Sequence, residues 1–294
     1  MEIKSASGRT GVWVQWMPWT FVFLWSTGFI GAKLGLPYAE PFTFLSLRFL
    51  FVLAILLPMC WLLKAPWPNR RGVGHMAVAG VLMQGGYLGG VFASMHQGMP
   101  AGVSALITGL QPVFTAVLGG WLLHERTTPR QWLGLALGLG GVALVVGDRI
   151  AVQNLTVPAI LLSGLALASI TLGTVWQKRH GGAIDLRTGA AIQFAAAAVV
   201  LAPFAFLLET RSVVWSGEFV FALAWLVLVL SFGAIFLLLH LIRQGAATRV
   251  ASLFYLVPPT TALIAWPLFG ESYSLLAAAG MGLGMLAVWL VSKA

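Results

Sequence analysis

Charged side chains are scarce in this chain. Asp, Glu, Lys and Arg together make up 9% of it, against 59% apolar residues. Soluble domains carry about a quarter charged residues, so a soluble protein of 294 residues could not cover its surface with so few, and the chain reads as an integral membrane protein. There is one cysteine, Cys60, inside an apolar run. That excludes an internal disulfide and leaves the redox compartment unmarked. The five histidines form no HxxxH or Cys/His cluster, so no metal site and no other cofactor is expected. Acidic residues number eight (Glu2, Glu40, Glu125, Asp148, Asp185, Glu209, Glu218 and Glu271), and none falls near the middle of an apolar run. An intramembrane carboxylate is the usual proton or cationic-drug site, and its absence disfavours carboxylate-coupled proton antiport. Clustered His, Asp or Glu at depth and a supported nucleophile are also missing, which argues against a membrane-embedded enzyme. A channel would show a filter motif or a ring of charge, and neither is visible.

What remains is apolar and organised by punctuation. The 34 glycines and 13 tryptophans suit membrane helices, which tolerate Gly and place Trp at interfaces. Ten runs are long enough to cross a bilayer: 13–33, 41–63, 73–96, 101–123, 130–147, 157–177, 187–208, 218–242, 247–268 and 274–292. Pro66 and Pro68 close the second, while Pro100, Pro129 and Pro158 stand at the starts of others, where proline costs little. The runs are continuous rather than alternating, so the expected class is an all-α membrane protein and not a barrel. The first run follows Lys4 and Arg9 like a signal peptide, but no cleavage site and polar mature domain follow, and it is expected to be a retained helix.

The net charge of +9 does not point to nucleic acid, because the charges sit in short loops. Lys4, Arg9, Lys64, Arg70, Arg71, Arg126, Arg130, Lys178, Arg179, Arg187, Arg243, Arg249 and Lys293 fall on one side, and only Lys33, Arg149 and Arg211 on the other. The bias predicts both termini in the cytoplasm. Arg48 is left inside the second span; snorkelling toward the outer interface, an ion pair and a contact to a substrate carboxylate are its three readings.

The segment AGVSALITGLQPVFTAVLGGWLLHE, from Ala101 to Glu125, has a counterpart in ATRVASLFYLVPPTTALIAWPLFGE, from Ala247 to Glu271, at a constant shift of 146 positions. Pro112 meets Pro258, Glu125 meets Glu271, and Gly134 and Gly138 meet Gly280 and Gly284. Gly28 and Lys33 meet Gly173 and Lys178 at a shift of 145, and Gly86 meets Gly233 at a shift of 147. The chain is thus one unit written twice, residues 1–150 and 151–294, and repeats outrank local readings. Five spans per unit is odd, so the two halves must lie upside down relative to each other. The expected architecture is ten transmembrane helices in two inverted five-helix repeats, with a substrate site near the midplane between them.

This pattern resembles the drug/metabolite transporter superfamily with its paired EamA domains. The residues that carry the resemblance are LQPVFTAVLGGWLLHE and LVPPTTALIAWPLFGE, with WSTGFIGAK in the first span and LSLRF in the second. It implies a substrate exporter of alternating access with a central cavity. Within the superfamily the chain is most similar to the aromatic amino-acid exporters of bacterial inner membranes, a likeness that includes the segment WVQWMPWTFVFLW. The implied function is export of aromatic or other neutral amino acids and related metabolites. A multidrug or other small-metabolite exporter of the same superfamily is the second reading, and a channel the third. Expected partners are a small-molecule substrate and the bilayer of the bacterial inner membrane. A homodimer through the Gly-xxx-Gly faces and a monomer are both open.

The candidate substrate-binding residues are polar or aromatic and inside spans. Gln84 and Tyr87 share a helix face with Ser94 in the third span, and Ser231 lies on the matching face of the eighth. Thr108 and Gln111 precede Pro112, as Ser252 and Tyr255 precede Pro258. A midspan proline frees a backbone carbonyl and can kink the helix, which is tolerated where the backbone faces protein or a wet cavity. Trp25 and Trp176 could supply an aromatic wall. The competing reading of each polar residue is interhelical glue, worth about 0.6 kcal/mol; for the two tryptophans it is an interface belt. His96 and His240 end the third and eighth spans, and His75, His124 and His180 are expected in loops. Glu125 and Glu271 are expected to cap the first turn of the helix that follows each of them.

Overall fold

The computed structural model describes residues 10–122, 128–153, 155–182, 184–234, 237 and 256–292. Glu125, His124, His240, Ser252 and Tyr255 lie outside the described residues. Among the described residues every regular element is helical, and the one strand-like contact is an isolated bridge between Ala39 and Val213. In chain order the helices are α1 (Thr10–Gly35), α2 (Pro41–Leu62), α3 (Arg70–His96), α4 (Ala101–Gly109), α5 (Gln111–Leu122), α6 (Pro129–Gln153), α7 (Val157–His180), α8 (Leu186–Leu208), α9 (Gly217–Ala234), α10 (Val257–Phe269) and α11 (Leu275–Ser292). Six helices, α2, α3, α6, α7, α8 and α9, are long and apolar enough to cross a membrane, with shorter apolar helices beside them.

Local chemistry sets the boundaries. Asn69, Thr156 and Ser216 cap α3, α7 and α9 by accepting from the amides of Gly72, Ala159 and Phe219. Proline opens α2, α6 and α7, where its missing N–H is no loss. The predicted fourth span is interrupted: α4 stops at Gly109, Leu110 forms a turn, and α5 restarts at Gln111. Pro112 has no N–H for the Thr108 carbonyl and its ring crowds that oxygen. Val257 and Pro258 are the first residues of α10.

α3 and α9 each contain a π-helical stretch, Val81–Gly86 and Trp225–Ala234. These two stretches coincide when Gly86 is laid on Gly233. Wide turns of this kind are unusual and often mark functional positions.

Large apolar side chains cover the outside, among them Leu50, Trp61, Leu161, Val199, Leu207, Phe221, Leu263 and Leu275, while Phe21, Phe44, Phe49, Phe92, Phe194 and Phe219 fill the interior. An apolar exterior of this extent suits lipid and not water. Trp19, Trp61 and Trp215 are exposed, as interface tryptophans should be.

Small residues set the closest approaches. α6 and α11 touch backbone to backbone: a Cβ added at Gly141 would lie 2.5 Å from the Gly280 carbonyl oxygen, and one at Gly280 2.6 Å from that of Gly141. Gly134 and Gly138 face Ala287, and Gly284 faces Leu106. These glycine faces meet residues of their own chain, the close packing within the bundle that such faces allow. Gly280→Val is expected to cost about 1–3 kcal/mol and to lower the melting temperature in detergent. Gly282→Val, with nothing within 4 Å of its added Cβ, should leave it unchanged.

Candidate functional site

One end of the bundle, the outer end in the sequence reading, is tied together by carboxylates. Glu209 accepts from the amides of Phe42 and Thr43, both at 2.7 Å, which caps α2 from the far half of the chain. Glu40 returns the favour, accepting from the amide and hydroxyl of Thr210, also at 2.7 Å. Tyr38 donates to Glu218, and Ser274 to Asp148. Glu271 is the most connected. It pairs with Lys33, accepts from the Ala101 amide at 2.8 Å and the Gly102 amide at 3.4 Å, and accepts from the Tyr273 hydroxyl at 2.5 Å.

Glu271 is therefore a cap, but of α4 in the other half and not of the helix after it. The α4 amides point at it because the carboxylate offsets the positive end of that helix. Burial pushes the Glu271 carboxyl up, yet the hydrogen bonds from Lys33 and Tyr273 and the Lys33 charge outweigh this and hold it below the ordinary value.

Deeper in the bundle, the broken α4–α5 joint meets α1, α3, α7 and the start of α10. A cleft opens there, lined by Trp25, Phe29, Tyr87, Ala105, Thr108, Gly109, Gln111, Ile170 and Val257. It is narrow, with room for no more than about one water, far below the about 300–1,000 Å³ of common ligand pockets. The walls are mostly apolar, with polar groups from Tyr87, Thr108 and Gln111. Gln111 donates to the Thr174 hydroxyl at 2.8 Å. Thr108 donates back to the Ser104 carbonyl at 2.8 Å, and its hydroxyl lies close enough to that of Tyr87 to interact with it. Ser26 donates to the Val22 carbonyl and, at 3.4 Å, to that of Val257. No described carboxylate lines this space.

Arg48 lies near Tyr87 and does not line the cleft. It is buried, with 6% of its surface exposed, so the snorkelling reading fails: the side chain turns into the protein. The physical reason is a polar partner inside, since Arg48 Nη2 donates to Ser231 Oγ at 3.2 Å, and Tyr87 lies near enough to feel its charge. Its Nε has no partner, and among the described residues no carboxylate pairs with it. Placing a charge at such depth costs about 2.5–3.5 kcal/mol on insertion scales.

Four expected site residues thus converge on the cleft: Trp25, Tyr87, Thr108 and Gln111. Ser231 is buried beside Arg48 rather than in the cleft wall. Gln84 is half-buried in the π turn of α3 and does not line the cleft. Trp176 is held elsewhere: it donates to the His75 carbonyl at 3.1 Å and packs against the His75 and His180 rings. Its place one turn from the end of α7 puts it with the residues of the opposite end. His75 lies within α3 and His180 ends α7, rather than in loops. Phe29 and Ile170 were not singled out from the sequence; Phe29 follows Trp25 by four positions, the spacing that shares a helix face. Val257 carries no chemical signal beyond its neighbour Pro258. Among the described residues no group of His, Cys, Asp and Glu is arranged to hold a metal.

The model of the EamA-like transporter family matches residues 13–147 and again residues 157–293. Among individual relatives, the inner membrane transporter YedA of Escherichia coli K12, itself uncharacterised, is 25% identical over 270 residues, covering 92% of this chain and 87% of its own. The uncharacterised transporter YvbV of Bacillus subtilis is 26% identical over 279 residues, covering 92% and 88%. A probable amino-acid metabolite efflux pump of Salmonella typhimurium is 28% identical over 159 residues, 54% of this chain and 51% of that protein. One crystal structure superposes with a TM-score of 0.64 over 93% of this chain and 94% of its own at 20% identity, a likeness of fold alone.

Proposed function

The chain belongs to the EamA-like transporter family, and on that premise we propose that it exports neutral amino acids, aromatic ones in particular, and related metabolites by alternating access. The observation that carries this reading is the cleft at the α4–α5 break. It joins an aromatic wall, Trp25, Phe29 and Tyr87, to the uncharged polar groups of Thr108 and Gln111. That chemistry suits solutes with an apolar part and a polar end, and gives a cationic drug no described carboxylate to pair with. Ser252 and Tyr255, at the positions before Pro258 that answer to Thr108 and Gln111 before Pro112, belong to the same proposed site.

Ten crossings in two inverted halves, residues 1–150 and 151–294, with both termini in the cytoplasm of a bacterium, complete the proposal. Helix pairing supports the inversion. α2 packs on α8, α6 on α11 and α4 on α10, each a span against its own counterpart. The contact of α3 with α7 is answered by that of α9 with α1, and the contact of α4 with α7 by that of α10 with α1. In this reading the carboxylate-tied end is shut and the cleft is contracted between two open states.

Purified protein in proteoliposomes, offered aromatic, aliphatic and basic amino acids beside cationic drugs, tests the reading. Tryptophan and phenylalanine are expected to move fastest. Transport of the cationic drugs alone would replace amino-acid export by multidrug export. With no carboxylate in the described cleft, export is also expected to continue when nigericin collapses the pH gradient; export that stops under nigericin contradicts that expectation.

A further inference from the structure

Among the described polar groups inside the bundle, Arg48 stands out as a full charge without a counter-ion. Its neighbours are Ser231, which accepts its one hydrogen bond to a described partner, and Tyr87, a lining residue of the cleft that lies near enough to feel its charge. Its Nε is buried and has no partner. A guanidinium with unused donors is a fork shaped for a carboxylate, which it can grip through two parallel hydrogen bonds. Structural glue does not account for the charge: a neutral donor would serve Ser231 equally well, without the desolvation that a buried cation carries.

The elements around Arg48 also have a way to move. Tyr87 directly follows the π turn Val81–Gly86, and Ser231 lies within the π stretch Trp225–Ala234. A π turn holds one residue more than the α turn it replaces, so shifting its place along the helix rotates the side chains it passes. Both neighbours of the guanidinium therefore sit where helix register can change without breaking the helix. The Gly86 position leaves no slack for a side chain, since an added Cβ would lie 2.5 Å from Ser169 Oγ.

We propose that Arg48 is the receptor for the carboxylate of the transported solute, reached when Tyr87 turns aside, so that the protein selects carboxylate-bearing substrates over their decarboxylated analogues. This rests on the export reading above and narrows it to anionic-ended or zwitterionic solutes. The aromatic wall of the cleft takes the apolar part and Arg48 takes the charged end.

The test compares L-tryptophan with tryptamine, which keeps the indole and amine and lacks the carboxylate. Binding to purified protein in detergent and uptake into proteoliposomes are both measured, in wild type and in Arg48→Met, Arg48→Gln and Arg48→Lys. Wild type is expected to prefer tryptophan at least tenfold. Arg48→Met and Arg48→Gln should lower that preference to near unity while tryptamine binding persists, which shows that the variants are folded. Arg48→Lys should keep part of it. A tryptophan preference unchanged in Arg48→Gln overturns the role of Arg48 and leaves the export reading standing. A wild type that prefers tryptamine overturns the carboxylate selectivity, and one that handles neither compound overturns the export reading itself.

Discussion

Glu271→Ala is expected to lower stability by about 2 kcal/mol and export at least tenfold. Removing one partner of a fully buried ion pair costs about 3–5 kcal/mol. The figure is smaller here because the Lys33 side chain is 29% exposed and water recovers part of the loss. The substitution also strips the carboxylate from the first amides of α4 and from Tyr273, so α1, α4 and the α10–α11 link lose their common tie. Glu271→Gln keeps an oxygen for the amides and loses the charge for Lys33, and should fall between the two. The carboxyl is held below its ordinary value of 4.5. A depressed carboxylate contributes stability above its unfolded value and loses it as pH falls through the folded one. Wild type should accordingly hold a steady melting temperature from neutral pH down to about 4.5 and lose stability below that, and Glu271→Gln should flatten that acid limb. Thermal unfolding in detergent between pH 3 and 8 gives both results; equal melting temperatures for wild type and Glu271→Ala would show that the tie carries nothing.

Tyr87→Phe is expected to reduce export five- to tenfold with little change in melting temperature, and Tyr87→Ala to abolish it. The ring fills the wall of the cleft and packs in the main core, so its removal leaves a hole that costs about 3–5 kcal/mol for an aromatic side chain. The hydroxyl is a separate matter. It faces Thr108 and lies near Arg48, and deleting it alone removes a polar contact while the packing survives. The comparison of the two variants by transport and by unfolding separates the wall from the hydroxyl. Full transport by Tyr87→Phe would remove the hydroxyl from the site, and full transport by Tyr87→Ala would remove the residue.

Much of this architecture is legible in the sequence, because lipid allows few solutions. With no water to satisfy backbone groups, each apolar run must be helical, and prolines and caps at Pro41, Pro129, Pro158 and Asn69 fix the ends. The break before Pro112 follows from a missing N–H. The site was half legible. Tyr87, Thr108 and Gln111 declare themselves as polar groups in apolar runs, and Trp25 as an aromatic one. Trp176 could not be placed from sequence, because an aromatic residue near a helix end reads alike whether it faces a cleft or, as here, packs on His75 and His180. Arg48 misleads: its distance from the helix end fits snorkelling, and only Ser231, brought beside it from the other half, turns it inward. The cross-half grip of Glu271 on α4 is equally invisible, since local order points a carboxylate at the next helix.

Alternating access, as proposed, requires the cleft to open in turn to each side of the membrane. Ala105→Cys places a thiol of nearly the same size in its wall, in a Cys60→Ala background that removes the chain's own buried cysteine. Labelling with a membrane-impermeant maleimide is then measured in right-side-out and inside-out vesicles, with and without L-tryptophan. Labelling is expected from either side, and less of it when tryptophan fills the cleft. Labelling from one side only, in every condition, while tryptophan is still transported would contradict it.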